Sequence, residues 1–304
     1  MKTSSLSKKI SQGGCLIEPS TEKSIFQLNK KDLVNIYEKK GLIIFRNFNL
    51  QKEEITKFTD IFTDQYANDA LRRSIRLKDK NVRNVDPGNF EMPLHSEASY
   101  SPSWPEIIWF YCNLAPKKSG QTTVCDGQSI YKNFNVSEKK FFLENQILYD
   151  LKIPFGEKKL EKDKISKNKN LKPWHIDHPG VKDCFINFSK KEVIFKLKRY
   201  AVNKLNNSEE LAFANHLQII LNRDPQVLRI TMENGKKFPL KIMKKVKKIS
   251  DDFTLDINWK NGDLCMINNK RFMHGRRKVY SNEKRDIMVI QTLKSNFKDK
   301  TSHY

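Results

Sequence analysis

Residues 85–131 read VDPGNFEMPLHSEASYSPSWPEIIWFYCNLAPKKSGQTTVCDGQSIY. Short β-prone runs follow one another here, broken by Pro and Gly, with no helical period sustained across them. The run IIWFYCNL, residues 107–114, is the clearest strand of the chain, because its β-branched and aromatic residues suit a pleated, buried surface. Just upstream, His95 and Glu97 stand two apart, so on extended backbone their side chains leave the same face and can grip one ion.

The same texture returns in residues 253–294, FTLDINWKNGDLCMINNKRFMHGRRKVYSNEKRDIMVIQTLK. Strands are expected at Phe253 to Trp259, Leu264 to Ile267 and Ile287 to Leu293, with a turn at Asn261-Gly262. His274, just after a strand, is the natural third ligand. Two histidines and one carboxylate on one face of iron(II) leave open positions for a chelating co-substrate and oxygen. A bare His-x-Glu is weak evidence by itself, since any acid-rich chain yields one by chance.

Between and before these stretches the pattern turns helical. Residues 29–40, NKKDLVNIYEKK, place Leu33, Ile36 and Tyr37 on one face, and 50–66, LQKEEITKFTDIFTDQY, do the same with Ile55, Phe58, Ile61 and Phe62. GLIIFRNF between them reads as a buried strand over Leu42 to Phe45. Further helices are expected in SEKKFFLENQILYDL (137–151), SEELAFANHLQIIL (208–221) and KIMKKVKKI (241–249), and a hairpin in RITMENGKKFPL with its turn at Asn234-Gly235. Residues 157–172 read as a Lys-rich, solvated loop. Many short strands with helices outside them suit a mainly β fold, a jelly-roll or cupin-like core with appended helices. The expected organisation is an irregular segment over 1–20, one domain over 21–298 and a C-terminal tail over 299–304.

Composition narrows the function classes. With 38% hydrophobic and 11% aromatic residues in 304, the chain is too apolar for disorder despite 30% charged residues. No run approaches the roughly 18 apolar residues of a membrane span, and the start lacks the apolar core of a signal peptide, so a cytoplasmic protein is expected. The five cysteines are scattered with no C-x-x-C pair, which points to buried thiols rather than a zinc knuckle or disulfide framework. A net charge of +22 attracts polyanions in principle. Lysines are nevertheless spread along the whole chain, and no nucleic-acid module signature is present, so nucleic acid is not the expected partner.

Taken together, these motifs resemble the taurine/2,4-D dioxygenase (TauD/TfdA) family, nearest its clavaminate-synthase-like and syringomycin-type aspartyl hydroxylase branch. The likeness runs from about residue 15 to 293. CLIEPS followed by KKGLIIFRNF resembles the family's opening strand, and MPLHSEASY running on through WFYCNLAPKKSGQTTVCDGQSIY resembles the first metal motif and its Gly-Thr loop. WKNGDLCMINNKRFMHGR with RDIMV after it resembles the distal motif. The resemblance implies a double-stranded β-helix in which His95, Glu97 and His274 bind iron(II). It also implies that Thr122 and Arg285 bind 2-oxoglutarate, Arg285 at its distal carboxylate. Oxygen and 2-oxoglutarate would be co-substrates, with decarboxylation to succinate coupled to hydroxylation of an unactivated C–H bond in a small molecule. The branch points to an amino acid or derivative, free or on an acidic carrier protein. Desaturation or cyclisation by the same chemistry is the nearest alternative, and a non-catalytic, basic nucleic-acid-binding protein on the same fold is the competing class.

Departures from the family pattern are local. Ser119-Gly120-Gln121 stands for the usual Gly-Gly before the Thr, Asn268-Asn269 for the frequent Asp-Asn before the distal histidine, and Val289 where a second arginine often lies. Arg276 and Arg277 flank His274 and are candidates for an anionic substrate, with a solvated turn as the plainer alternative. WHIDHPG offers a rival His175-x-Asp177 beside His178, but no Gly-Thr loop follows, so His175 is assigned near the substrate rather than to the metal. His216, in an apolar run, is expected to be structural, His303 lies in a tail expected to fray, and Trp104, Trp109 and Trp259 are expected in the core.

Overall fold

The computed structural model describes residues 1–7, 13–67, 73–154, 181–187, 192–205, 209–221 and 228–297. Two sheets position the site. The wide sheet has nine strands, in the order Lys2–Ser5, Cys15–Glu18, Leu42–Phe45, Leu264–Asn268, Ile107–Leu114, Asp286–Ser295, Asp79–Asn84 and Ile75–Arg76, with Thr63–Tyr66 also paired to Asp286–Ser295. The narrow sheet has four, in the order Thr254–Asp256, Thr122–Asp126, Phe272–Arg276 and Met92–His95. Neighbouring strands are distant in sequence, as in a jelly-roll whose chain winds back and forth between two sheets.

Side-chain parity shows which faces meet. Leu42, Ile44, Ile108, Phe110, Cys265, Ile267, Ile287 and Val289 of the wide sheet share one buried cluster with Val124 and Phe272 of the narrow sheet. Their alternates Ile43, Phe45, Trp109, Tyr111, Met266 and Met288 turn outward onto helices Lys30–Lys40 and Ile55–Asp60. On the other side, Leu94, Cys125 and Met273 pack beneath helices Gly127–Lys132, Val136–Glu144 and Leu240–Phe253 and the strand Gln146–Pro154. Strands buried on both faces read as continuous apolar runs, which is why LIIF and IIWFYCNL stand out in the sequence.

Several expectations need correction. The segment read as irregular over 1–20 contains the strands Lys2–Ser5 and Cys15–Glu18, the second running parallel to Leu42–Phe45. The second helix is short, Ile55–Asp60, because Thr63–Tyr66 leaves it to pair with the C-terminal strand. Residues 137–151 are half helix; the chain leaves Val136–Glu144 for Gln146–Pro154, paired on both edges. The turn at Asn234-Gly235 forms, with Gly235 at φ 80°, but the return arm goes into helix Leu240–Phe253 rather than a second strand.

The helix expected over 208–221 is replaced by the strand Leu211–Phe213 and a 3-10 turn, Leu217–Leu221. Side-chain amides explain this: Asn203 Nδ2 donates to the Ala214 carbonyl, and Asn215 donates to Ala201 O while accepting from Leu217 N. Those bonds capture backbone groups that a helix would need. The Lys-rich loop, His175, His178 and His303 lie outside the described residues.

Candidate active site

His95 ends the strand Met92–His95, and its Cα partner across the ladder is His274 on Phe272–Arg276. His274 has the same parity as the inward-facing Phe272, and its ring lies 5.2 Å from Phe110 of the opposite sheet. Glu97 comes from the turn just after His95. Its backbone is held by Asn269, which accepts from Glu97 N at 2.8 Å and donates through Nδ2 to the carbonyls of Glu97 and Pro105, each at 2.9 Å. The asparagine standing in the distal motif thus joins the two metal-motif segments directly.

One ligand atom from each of His95, Glu97 and His274 falls within 4.8 Å of the others, and all three residues are buried. Glu97 Oε2 lies 3.6 Å from His274 Nε2 and 4.0 Å from His95 Nε2. His95 Nδ1 donates to Pro93 O at 2.8 Å, which leaves the Nε2 lone pair directed at Glu97. Burial, with His274 and His216 adding to it, pushes the His95 imidazole down to about 3, so the ring is neutral and able to donate to a metal. Burial pushes the Glu97 carboxyl up, but Arg73 foremost, then His274 and His95, hold it well below the usual carboxylate range. Two imidazoles and one carboxylate, close-set and shielded from water, fit a divalent iron that keeps open positions.

Thr122, on Thr122–Asp126, is buried and is the Cα partner of Arg276; its hydroxyl accepts from Trp259 Nε1 at 3.0 Å. Arg285 precedes the strand Asp286–Ser295 and lines a cavity of about 380 Å³ together with Arg73, Asp86, Val279, Arg276 and Ile287. Its Nε is buried and makes no hydrogen bond among the described residues. Burial, with Arg276 adding to it, pushes the Arg285 guanidinium down to about 10, still charged at neutral pH. A partly buried cation with an unpaired Nε favours an anionic partner, and a carboxylate presented bidentately fits the guanidinium fork.

The two candidate substrate arginines separate. Arg276 turns inward and lines the cavity, where its guanidinium donates to the carbonyls of Asp86, Gly88 and Phe90, so it anchors the cavity's loop. Arg277, of opposite parity, is 44% exposed and engages Asp256 at 2.9 Å, which takes it out of the site. Two residues that carry no sequence motif belong here. His216 is buried with its ring 5.0 Å from His95 and 4.9 Å from Tyr100, so it packs on the site rather than in a helix. Arg73 donates to Glu97 Oε2 at 2.8 Å.

Comparison with known proteins gives the family and the fold. A family model described as "Taurine catabolism dioxygenase TauD, TfdA family" matches residues 17–291. A clavaminate synthase-like protein of Arabidopsis thaliana is 21% identical over 269 residues, covering 82% of this chain and 81% of its own. The 3-((Z)-2-isocyanoethenyl)-1H-indole synthase of Fischerella ambigua is 20% identical over 291 residues, covering 94% of each. Among solved structures, PvcB from Pseudomonas aeruginosa superposes with a TM-score of 0.59 at 14% identity, covering 92% of this chain and 86% of that one. A taurine dioxygenase from Burkholderia xenovorans gives 0.61 at 10% identity, over 95% and 88%. The structural likenesses establish the shared fold, and the family match spans nearly the whole chain: the protein belongs to the TauD/TfdA family of iron(II)- and 2-oxoglutarate-dependent dioxygenases.

Proposed function

We propose that His95, Glu97 and His274 hold the iron, that Arg285 and Thr122 hold 2-oxoglutarate, and that the enzyme hydroxylates an unactivated C–H bond of an amino acid or derivative. The carrying observation is the convergence of the three donor atoms within 4.8 Å, with Arg73, which donates to Glu97, lining one cavity together with Arg285. When bound, iron(II) and 2-oxoglutarate supply the oxidising chemistry. This chain's own residues orient and shield it: Pro93 O fixes the His95 tautomer, Asn269 fixes the Glu97 backbone, and the apolar cluster around Phe110 and Val124 keeps water from the ring of His274. The buried thiols of Cys15, Cys112, Cys125 and Cys265 support a reducing, cytoplasmic setting, and the net charge of +22 supports an acidic carrier protein as the bearer of the substrate.

A second reading has a specific observation behind it. The Fischerella relative is named for a product with an ethenyl group, and PvcB is titled an Fe, alpha-ketoglutarate dependent oxygenase from an isonitrile synthetic pathway. An ethenyl group arises by loss of two hydrogens, so desaturation stands beside hydroxylation as the outcome here.

Anaerobic titration with iron(II), followed by succinate formation across a panel of free and carrier-loaded amino acids, tests the whole reading. His95→Ala and His274→Ala abolish iron binding and succinate release, whereas His175→Ala leaves iron affinity unchanged. An equal loss of iron in His175→Ala would sink the assignment. Product mass separates the outcomes, rising by one oxygen or falling by two hydrogens.

A further inference from the structure

We propose that Arg73 is a positioning residue for the iron-binding carboxylate: it fixes which oxygen Glu97 presents, while Asp86 orients Arg73. This rests on the metal assignment above. No motif announces Arg73. It follows the strand Thr63–Tyr66 and lies far in sequence from either histidine, yet its Nη2 donates at 2.8 Å to Glu97 Oε2, the same oxygen that faces both imidazoles. A carboxylate oxygen has more than one lone pair, so one N–H and one metal can share it.

The contact is built rather than incidental. Arg73 and Glu97 side chains are only 8% and 10% exposed, and a fork of Arg73 Nε and Nη2 grips Asp86 at 3.0 and 2.9 Å. Asp86 sits on the loop whose carbonyls, at Asp86, Gly88 and Phe90, are held by Arg276, two residues beyond His274. The connections therefore form a closed ring from Glu97 through Arg73, Asp86 and Arg276 back to the strand of His274. Arg73 also lines the cavity, but two carboxylates already compensate its charge, whereas the buried Nε of Arg285 makes no hydrogen bond among the described residues. That contrast assigns Arg285 to an incoming anion and Arg73 to Glu97. A lysine could supply the charge but not the fork that spans both carboxylates.

Two consequences follow for a bound metal. Held by Arg73, Glu97 cannot rotate its other oxygen toward the histidines, so the donor set stays as it is placed. The guanidinium charge beside the site also favours the lower oxidation state of the metal, because the ferric ion carries one more positive charge.

The test uses the purified full chain under anaerobic conditions, with iron(II) affinity read by chelator competition and the ferric–ferrous midpoint by redox titration. Arg73→Met weakens iron(II) binding by roughly ten- to a hundredfold, the range for loss of such a partner, and moves the midpoint negative. Asp86→Asn weakens iron(II) binding by less, because Arg73 remains but is no longer oriented, and Arg73→Lys falls between wild type and Arg73→Met in both readouts. Unchanged or tighter iron binding in Arg73→Met overturns the proposal. So does weaker binding without a shift in midpoint, which a merely structural role would give. Should Arg73→Met fail to fold, Arg73→Lys, which keeps the charge but loses the fork, decides by the same two readouts. A wild-type chain that binds no iron would remove the metal assignment itself and this inference with it, a result distinct from wild-type binding that Arg73→Met leaves intact.

Discussion

Arg285 and Thr122 are the residues proposed to hold 2-oxoglutarate, Arg285 on the wall of a cavity lined mostly by polar residues. The Arg285 Nε is buried and unpaired among the described residues, so a carboxylate entering the cavity gains a charged hydrogen bond there. Arg285→Ala is expected to raise the Michaelis constant for 2-oxoglutarate by one to two orders of magnitude, on the order of the 1.5–3 kcal/mol such a bond is worth. Lysine should rescue little, since it lacks the fork, and iron affinity should barely move. A rise in the constant for the prime substrate instead would move Arg285 to the substrate pocket. Trp259→Phe probes the neighbouring contact. Loss of the Nε1 bond to Thr122 frees the hydroxyl to turn away, and about 1 kcal/mol corresponds to a roughly fivefold weaker 2-oxoglutarate constant. An unchanged constant would show that Thr122 needs no such anchor.

At the scale of elements, the loop Lys117–Gln121 and the turn before Asp286–Ser295 hold each other. Glu283 accepts from the backbone N–H groups of Lys117, Lys118 and Ser119, and Gly120 N donates to Lys278 O. Gly120 lies at φ 75°, and a Cβ there would come within 2.9 Å of Val279 Cγ2 and 3.0 Å of Arg285 Cδ. The departure Ser119-Gly120-Gln121 thus keeps the one glycine the turn requires and replaces its neighbour by a serine whose hydroxyl accepts from Tyr280 N. Gly120→Ala should displace Arg285 and raise the 2-oxoglutarate constant severalfold, with iron binding and fold retained. Circular dichroism together with steady-state kinetics checks it, and unchanged kinetics would refute the close approach.

For the molecule as a whole, the barrel closes on a buried ion pair. Arg271, at the start of the distal strand, grips Asp126 through Nε and Nη2 at 3.0 and 2.7 Å and donates through Nη1 to Lys39 O at the end of the first helix. The two side chains are 2% and 1% exposed, and the three segments they tie belong to both sheets' surroundings. Removing one partner leaves a buried charge uncompensated, so Arg271→Met should destabilise the fold by about 3–5 kcal/mol in denaturant titration. A loss below about 1 kcal/mol, the usual worth of an exposed pair, would show that the tie is not structural.

Much of this was legible from residue order. Apolar runs such as LIIF and IIWFYCNL mark strands buried on both faces, and the Asn261-Gly262 turn appears where expected, with Gly262 at φ 86°. His95, Glu97 and His274 were identifiable because chemistry restricts a facial set to few residue types, although the strand ends at His95 and it is the turn after it, not the strand period, that brings Glu97 to the same place. What residue order could not give is partnership across the barrel. The apolar spacing of 208–221 suits a helix, and only the amides of Asn203 and Asn215, meeting carbonyls brought there by the fold, break it. Arg276 and Arg277 look equivalent in sequence, and strand parity in the folded sheet turns one inward and the other to Asp256. Arg73 and His216 lie in unremarkable segments, and they reach the site because tertiary contacts, unlike local propensity, carry no trace in the neighbouring residues.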